Sequence, residues 1–223
     1  GMRLAGTFCY NSQAVFPVYF AIRINKVPSG CGFWKKQPLM KGVESDWTPD
    51  DGTYKIYNKY GREIAGDDIG YWFSFETSEG EQVELQMGVS FVSCENAWEN
   101  LAAEQSGWDF DGIEAAARDR WNEELGRIDI QAMDEKQRRV FYTSLYHTMI
   151  SPSLFNDVNG EYRGADGQVH SSNEDQYTIL SLWDTYRAAF PLFTLVNPEM
   201  SHSLASTFMN IYDQQGKLPI WHL

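Results

Sequence analysis

A chain of 223 residues with a formal net charge of −13 argues against nucleic acid or an anionic membrane surface as a partner. Hydrophobic residues at 43%, with eight Trp, twelve Tyr and thirteen Phe, give ample material for one large globular domain or two ordinary ones. No apolar run reaches the length of a membrane span, and Cys9, Cys31 and Cys94 are too few and too scattered for a disulfide framework or a zinc site.

The first half is written in period two. Phe16, Val18, Phe20, Ile22 and Ile24 share one face, and Ile69, Tyr71, Phe73 and Phe75 repeat the pattern. Val83, Leu85, Met87, Val89 and Phe91 form a third apolar row against Glu84, Gln86, Gly88 and Ser90. Ser78-Glu79-Gly80-Glu81 is a turn that would join the last two rows as a hairpin. Cys31 to Tyr60 mixes Gly, Pro, Lys, Asp and aromatics without periodicity and reads as an irregular insert. The three thiols are expected to be reduced and partly buried, with one bridge plus a free thiol as the alternative. The start, Gly1-Met2-Arg3-Leu4, has no signal-peptide core, and Gly1 before Met2 reads as an expression scar.

Helical periods follow. Asn96 to Gln105 fits a short helix, and Asp111 can cap one whose Ile113, Ala117, Trp121 and Leu125 share a face up to Gly126. A third begins near Asp134, turns Val140, Phe141, Ser144, Leu145 and Thr148 inward, and stops before Pro152. His147 on it is expected to be a satisfied core histidine. Asn159-Gly160 and Asp166-Gly167 bracket Glu161-Tyr162-Arg163 as a β-hairpin. Asp157-Val158-Asn159-Gly160-Glu161 lacks the sixth-position glycine of a calcium loop and reads as a plain turn. Asn197 caps a last helix with Pro198 at its first position, Met200, Leu204, Phe208 and Ile211 on one face, and Gly216 at its close. The expectation is strand up to about residue 93 and mostly helix from 127 onward, apart from the hairpin at 157–170.

The most informative stretch is Leu180 to Phe190. Asp184 and Arg187 stand three residues apart, so one helix ending near Pro191 would turn both to one side with Trp183 and Tyr186 beside them. A carboxylate acceptor, a guanidinium fork and aromatic faces suit the hydroxyls and C–H faces of a sugar. An ion pair in which Arg187 braces Asp184, with the two aromatics filling a core, explains the same residues.

The string Ser181-Leu182-Trp183-Asp184-Thr185-Tyr186-Arg187, followed by Pro191-Leu192 and Asn197-Pro198-Glu199, resembles the signature of glycoside hydrolase family 92. So do Gly6-Thr7-Phe8-Cys9, Val89-Ser90-Phe91-Val92-Ser93, Gly107-Trp108-Asp109-Phe110, Trp121-Asn122-Glu123-Glu124-Leu125, Phe141 to His147, Tyr162-Arg163-Gly164 and Leu218-Pro219-Ile220-Trp221, in that order. The family consists of calcium-dependent, inverting exo-α-mannosidases. The resemblance implies an α+β multidomain chain: an antiparallel β-sandwich over 1–107, a linker helix over 108–126, and over 127–223 the opening helices of an (α/α)6 barrel. It implies that Asp184 holds hydroxyls of the terminal mannose, with Arg187, Trp183, Tyr186, Trp221 and His222 as further substrate-binding residues. It also implies a periplasmic or extracellular setting and mannose-containing glycans as partners.

Inverting hydrolysis needs a carboxylic acid and a second carboxylate roughly 6.5–9.5 Å apart. The family's Glu-Gly-Asn proton donor, its catalytic base and its calcium ligands match nothing up to Leu223, so none of the catalytic or metal residues is expected within this chain. The chain reads as a central fragment, inactive alone, whose apolar end at Leu218, Ile220 and Trp221 is expected to favour self-association. Two other readings stay open: a non-catalytic carbohydrate-binding or scaffold protein, and an (α/α)6 glycosidase of another specificity.

Overall fold

The computed structural model describes residues 1–6, 15–37, 53–58, 64–66, 68–131 and 134–222. It divides into two compact units, Ile24–Leu85 and the combination of Gly1–Arg23 with Gln86–Leu223. The fold is mixed α+β: small antiparallel sheets, and six helices among the described residues.

Strands β1 (Met2–Gly6) and β2 (Val15–Ile24) pair antiparallel, with Met2 opposite Tyr19. In the smaller unit, β3 (Gly30–Gln37) lies between β4 (Thr53–Asn58) and β5 (Ile69–Ser74), antiparallel to both. The expected irregular insert therefore contains two strands; the central part of it, residues 38–52, lies outside the described residues. Their Lys and Gly interruptions hid the period, and cross-strand pairing overrides weak local propensity. Gly70 is required here, because a Cβ would stand 2.6 Å from the Trp34 ring.

The turn at Ser78 forms, with the Glu81 N–H donating to the Ser78 carbonyl at 3.1 Å and Gly80 at φ 79°. It does not make a hairpin. Strand β5 stays with β3, whereas β6 (Leu85–Ser90) joins β2 in the other sheet, in the order β1-β2-β6.

Strand β6 keeps the predicted alternation and reverses its faces. Gln86, Gly88 and Ser90 are buried, while Leu85, Met87 and Val89 stand open. The cause is α1 (Cys94–Glu104), capped by Ser93 and lying close against the short-chain face. A Cβ on Gly88 would come within 2.2 Å of the Ala97 carbonyl oxygen. Burial of Gln86 is tolerated because both ends of its amide are bonded. Its Oε1 accepts from Arg23 at 2.5 Å and its Nε2 donates to the Gly107 carbonyl at 2.6 Å.

Helix α2 (Phe110–Leu125) is capped two residues before the expected position: Asp109, not Asp111, accepts from the Gly112 N–H. Asp111 falls in the first turn, where a negative charge suits the helix dipole. None of the α2 residues is buried, and its Trp121 meets Tyr146 of α3 (Glu135–Thr148) at 4.8 Å between ring centroids. On α3 only Leu145 is buried; Val140 and Ser144 are exposed rather than inward. His147 is also exposed, so it is no core histidine.

Strands β7 (Ser153–Leu154), β8 (Glu161–Arg163), β9 (Val169–Ser171) and β10 (Tyr177–Thr178) follow, with β8–β9 the expected hairpin and β7–β10 an additional pair. The helix signals near the end hold closely. Helix α6 (Pro198–Gln215), the last of the six, has Asn197 as N-cap, Pro198 in its first turn and Gly216 in the left-handed region at φ 75°. Leu204 and Ile211 on it join Leu180 and Phe193 in the main hydrophobic cluster, with Met200 and Phe208 packed alongside.

Cys31 is exposed and Cys94 partly buried, both as free thiols, so Cys31 is not the partly buried thiol expected; Cys9 lies outside the described residues. No helix among the described residues is long and apolar enough to cross a membrane.

Candidate functional site

The segment 180–196 does not form one helix. A short α4 (Leu182–Thr185) ends, Tyr186 to Ala188 turn, and α5 (Ala189–Val196) begins. Pro191 explains the break. In an unbroken helix its ring would clash with the carbonyl of Arg187 and leave a bond unmade. Restarting at Ala189 puts Pro191 in a first turn, where its missing N–H costs nothing.

Ahead of α4 lies β11 (Leu180–Ser181), paired antiparallel with β12 (Trp221–His222), so Ser181 faces Trp221 and Leu180 faces His222. The Leu182 N–H donates to the Ile220 carbonyl at 3.1 Å. Leu180 is anchored in the core at 1% exposure. Ile179 just before it holds φ at 61°, a rare conformation for a β-branched residue.

These two short elements gather the signature residues. Asp184 is exposed on α4 and accepts the Ser181 hydroxyl on Oδ2 at 2.6 Å. The expected ion pair with Arg187 is not made: the chain turns after Thr185, and the Arg187 Nε donates instead to the Tyr186 hydroxyl at 2.7 Å. The guanidinium sits 5.5 Å from the Tyr186 ring centroid. Trp183 and Tyr186 are 57% and 52% exposed, so neither fills a core. Trp183 and Trp221 lie with ring centroids 6.4 Å apart and planes at 54°. His222 contributes its backbone to β12, and its side chain lies outside the described residues. Ser181 and Ile179 are the residues that sequence reasoning passed over. The capping-box spacing of Ser181 to Asp184 was the available signal for the first; nothing in the sequence marks the second.

A separate polar cleft of about 540 Å³ opens beside α6, lined by Asp166, His170, Glu174, Ser206 and Asn210 among others. Asp184, Arg187, Trp183, Tyr186 and Trp221 do not line it. His170 meets Asp166 there at 3.0 Å.

A buried polar knot ties β6 and α1 to the turn before β8. Asp157, 5% exposed, accepts from Ser90 at 2.6 Å, Asn96 at 2.8 Å and Asn100 at 2.7 Å. Asn96 also donates to Glu161 at 2.9 Å. Amide and hydroxyl protons occupy the carboxylate here, which is the wrong polarity for a cation. Among the described residues no group of three or more His, Cys, Asp or Glu is arranged to hold a metal ion.

Comparison with known proteins gives this geometry its context. Residues 96–223 match the model of the glycosyl hydrolase family 92 catalytic domain. An α-mannosidase of family 92 from Bacteroides thetaiotaomicron superposes with a TM-score of 0.77 at 31% identity, over 94% of this chain and 27% of its own. An inverting mannosidase of the same family and organism gives 0.78 at 29%, over 92% and 26%. A protein of Arthroderma benhamiae named an uncharacterized secreted glycosidase is 29% identical over 125 residues, 53% of this chain and 15% of its own length. The chain thus spans about a quarter of the solved mannosidases and less of the fungal relative.

Proposed function

Because the chain belongs to glycosyl hydrolase family 92, we propose that it is part of an inverting α-mannosidase that removes terminal α-linked mannose, with α-1,2 linkages preferred, from N-glycans or mannan. The observation that carries this reading is the grouping of an exposed acceptor carboxylate, Asp184, with two open indoles, Trp183 and Trp221. Asp184 holds sugar hydroxyls through its oxygens, and the indole faces meet the sugar's C–H surface. Arg187, steadied on Tyr186, donates to a second hydroxyl, and the family resemblance assigns His222 to the same group.

On this reading the protein divides as a β-sandwich over 1–107, a linker helix over 108–126 and the opening helices of an (α/α)6 domain over 127–223. The first six strands precede residue 93 and all six described helices follow it, which supports that division. The secreted relative supports a periplasmic or extracellular setting. The chemistry is assigned to residues outside this chain. Asp184, which accepts the Ser181 hydroxyl on Oδ2, is assigned the role of holding sugar hydroxyls, and the acid that protonates the leaving group is assigned elsewhere. On the same reading the calcium ligands are assigned outside the chain as well.

The test is mannose release from α-1,2-mannobiose by the full gene product, with the anomer followed by NMR. Inversion, loss of activity with a calcium chelator, and a fall in kcat/KM of about 10- to 150-fold in Asp184→Ala are expected, corresponding to ~1.5–3 kcal/mol for a hydrogen bond to a charged group. The 223-residue chain alone should release no mannose. Calcium-dependent turnover by that chain, abolished by Asp184→Ala, would place the chemistry within it and overturn the assignment.

A further inference from the structure

Resting on the reading of Asp184 as a sugar-holding group, we infer that Ser181 is a positioning residue that aims the Asp184 carboxylate. Ser181 occupies the N-cap of α4 and Asp184 the third helical position. A serine at this spacing ordinarily turns its oxygen to the backbone N–H of that third residue. Ser181 makes no such cap, and its hydroxyl donates to Asp184 Oδ2 instead. An exposed aspartate is free to rotate about both side-chain torsions. A single 2.6 Å bond to a fixed hydroxyl removes that freedom and leaves Oδ1 without a partner among the described residues.

Ser181 can serve as such a reference point because its own backbone is held on several sides. It pairs with Trp221 across β11–β12, and its carbonyl accepts the Thr185 hydroxyl at 2.7 Å. Leu180 on one side is buried, and on the other the Leu182 N–H is tied to Ile220. The bridge that fixes Ser181 also fixes Trp221 beside Trp183. One residue therefore sets both the direction of the carboxylate and its relation to the indoles. With its proton committed to Asp184, Ser181 does not donate to the substrate and acts through Asp184.

The experiment is a double-mutant cycle in the full gene product on an α-mannoside, with melting temperatures measured alongside. Ser181→Ala should melt as wild type and lose about 10- to 100-fold in kcat/KM, the scale of a misplaced group. Ser181→Thr, which keeps the hydroxyl, should recover most of that. The double variant Ser181→Ala/Asp184→Ala should match Asp184→Ala within about twofold, because removing the intermediary removes the effect. Multiplying losses, or an unaffected Ser181→Ala beside an impaired Asp184→Ala, would overturn the inference and leave the role of Asp184 standing. A wild-type Asp184→Ala would instead sink the reading of Asp184 and the inference with it. If Ser181→Ala fails to fold, Ser181→Cys replaces it in the same cycle.

Discussion

Ile179 passes through the left-handed region at φ 61° so that Leu180, its neighbour, can drop into the core at 1% exposure. The strain and the anchor belong together: the kink points one side chain inward and sends the chain out along β11.

The strain is measurable. A left-handed conformation costs an ordinary residue roughly 1–2 kcal/mol, and glycine's freedom in the unfolded chain takes back about 0.5–1. Ile179→Gly should therefore raise stability by about 0.5 kcal/mol in urea unfolding, while Ile179→Val should not. Leu180→Ala should cost about 2–5 kcal/mol by leaving a cavity among Phe193, Leu204 and Ile211. A destabilised Ile179→Gly would show that the lost contacts of the Ile179 side chain, 42% exposed, outweigh the relief of strain.

Asp157 should be among the most sensitive polar positions. Asp157→Ala removes the acceptor that Ser90, Asn96 and Asn100 share, at a cost of about 1–3 kcal/mol or more. The denaturation midpoint should fall by that amount, whereas replacing the exposed Glu95 on α1 should leave it nearly unchanged.

Asp166 carries a pH signature. Its carboxyl is held below the usual value of 3.8 by the backbone N–H of Gln168 and then by His170. A carboxylate with a depressed folded value stabilises above its unfolded value and gives that up as pH falls through the folded one. The stability difference between wild type and Asp166→Asn should be level above about pH 5 and shrink as pH falls below 3.8. Urea unfolding across pH 2–7 checks this, and a difference that grows on acidification would contradict it.

Leu218, Ile220 and Trp221 are 52%, 72% and 49% exposed. The isolated chain should accordingly self-associate with rising concentration in sedimentation velocity, and Ile220→Lys should reduce this. Concentration-independent monomers in both would remove the apolar end as a contact surface.

What the sequence made legible follows the strength of the local signal. Asn197, Pro198 and Gly216 fix a helix through caps that act within one turn, so α6 was readable to its ends. The alternation of β6 was readable too, but its inner face was not. That choice depends on α1 lying against Gly88, a tertiary contact with no local trace. Arg187 was misjudged for a related reason: helical spacing would carry it to Asp184, yet Pro191 stops the helix first and sends it to Tyr186. The residue types grouped around Asp184 were visible in the sequence; the bond from the Ser181 hydroxyl to Asp184 came only with the fold.

The polar knot around Asp157 also has a kinetic side. Ser90 and Asp157 are 67 residues apart, and Asn96 and Asn100 lie 61 and 57 from the same carboxylate. At roughly 5–20 residues per second of synthesis, Ser90 waits about 3–13 s on the ribosome before its acceptor is made. Closing so long a loop comes late and at an entropic cost, so α1 and β6 meet before the bonds that secure them exist. In refolding, α1 and β6 should therefore gain their full protection only once the turn before β8 has docked.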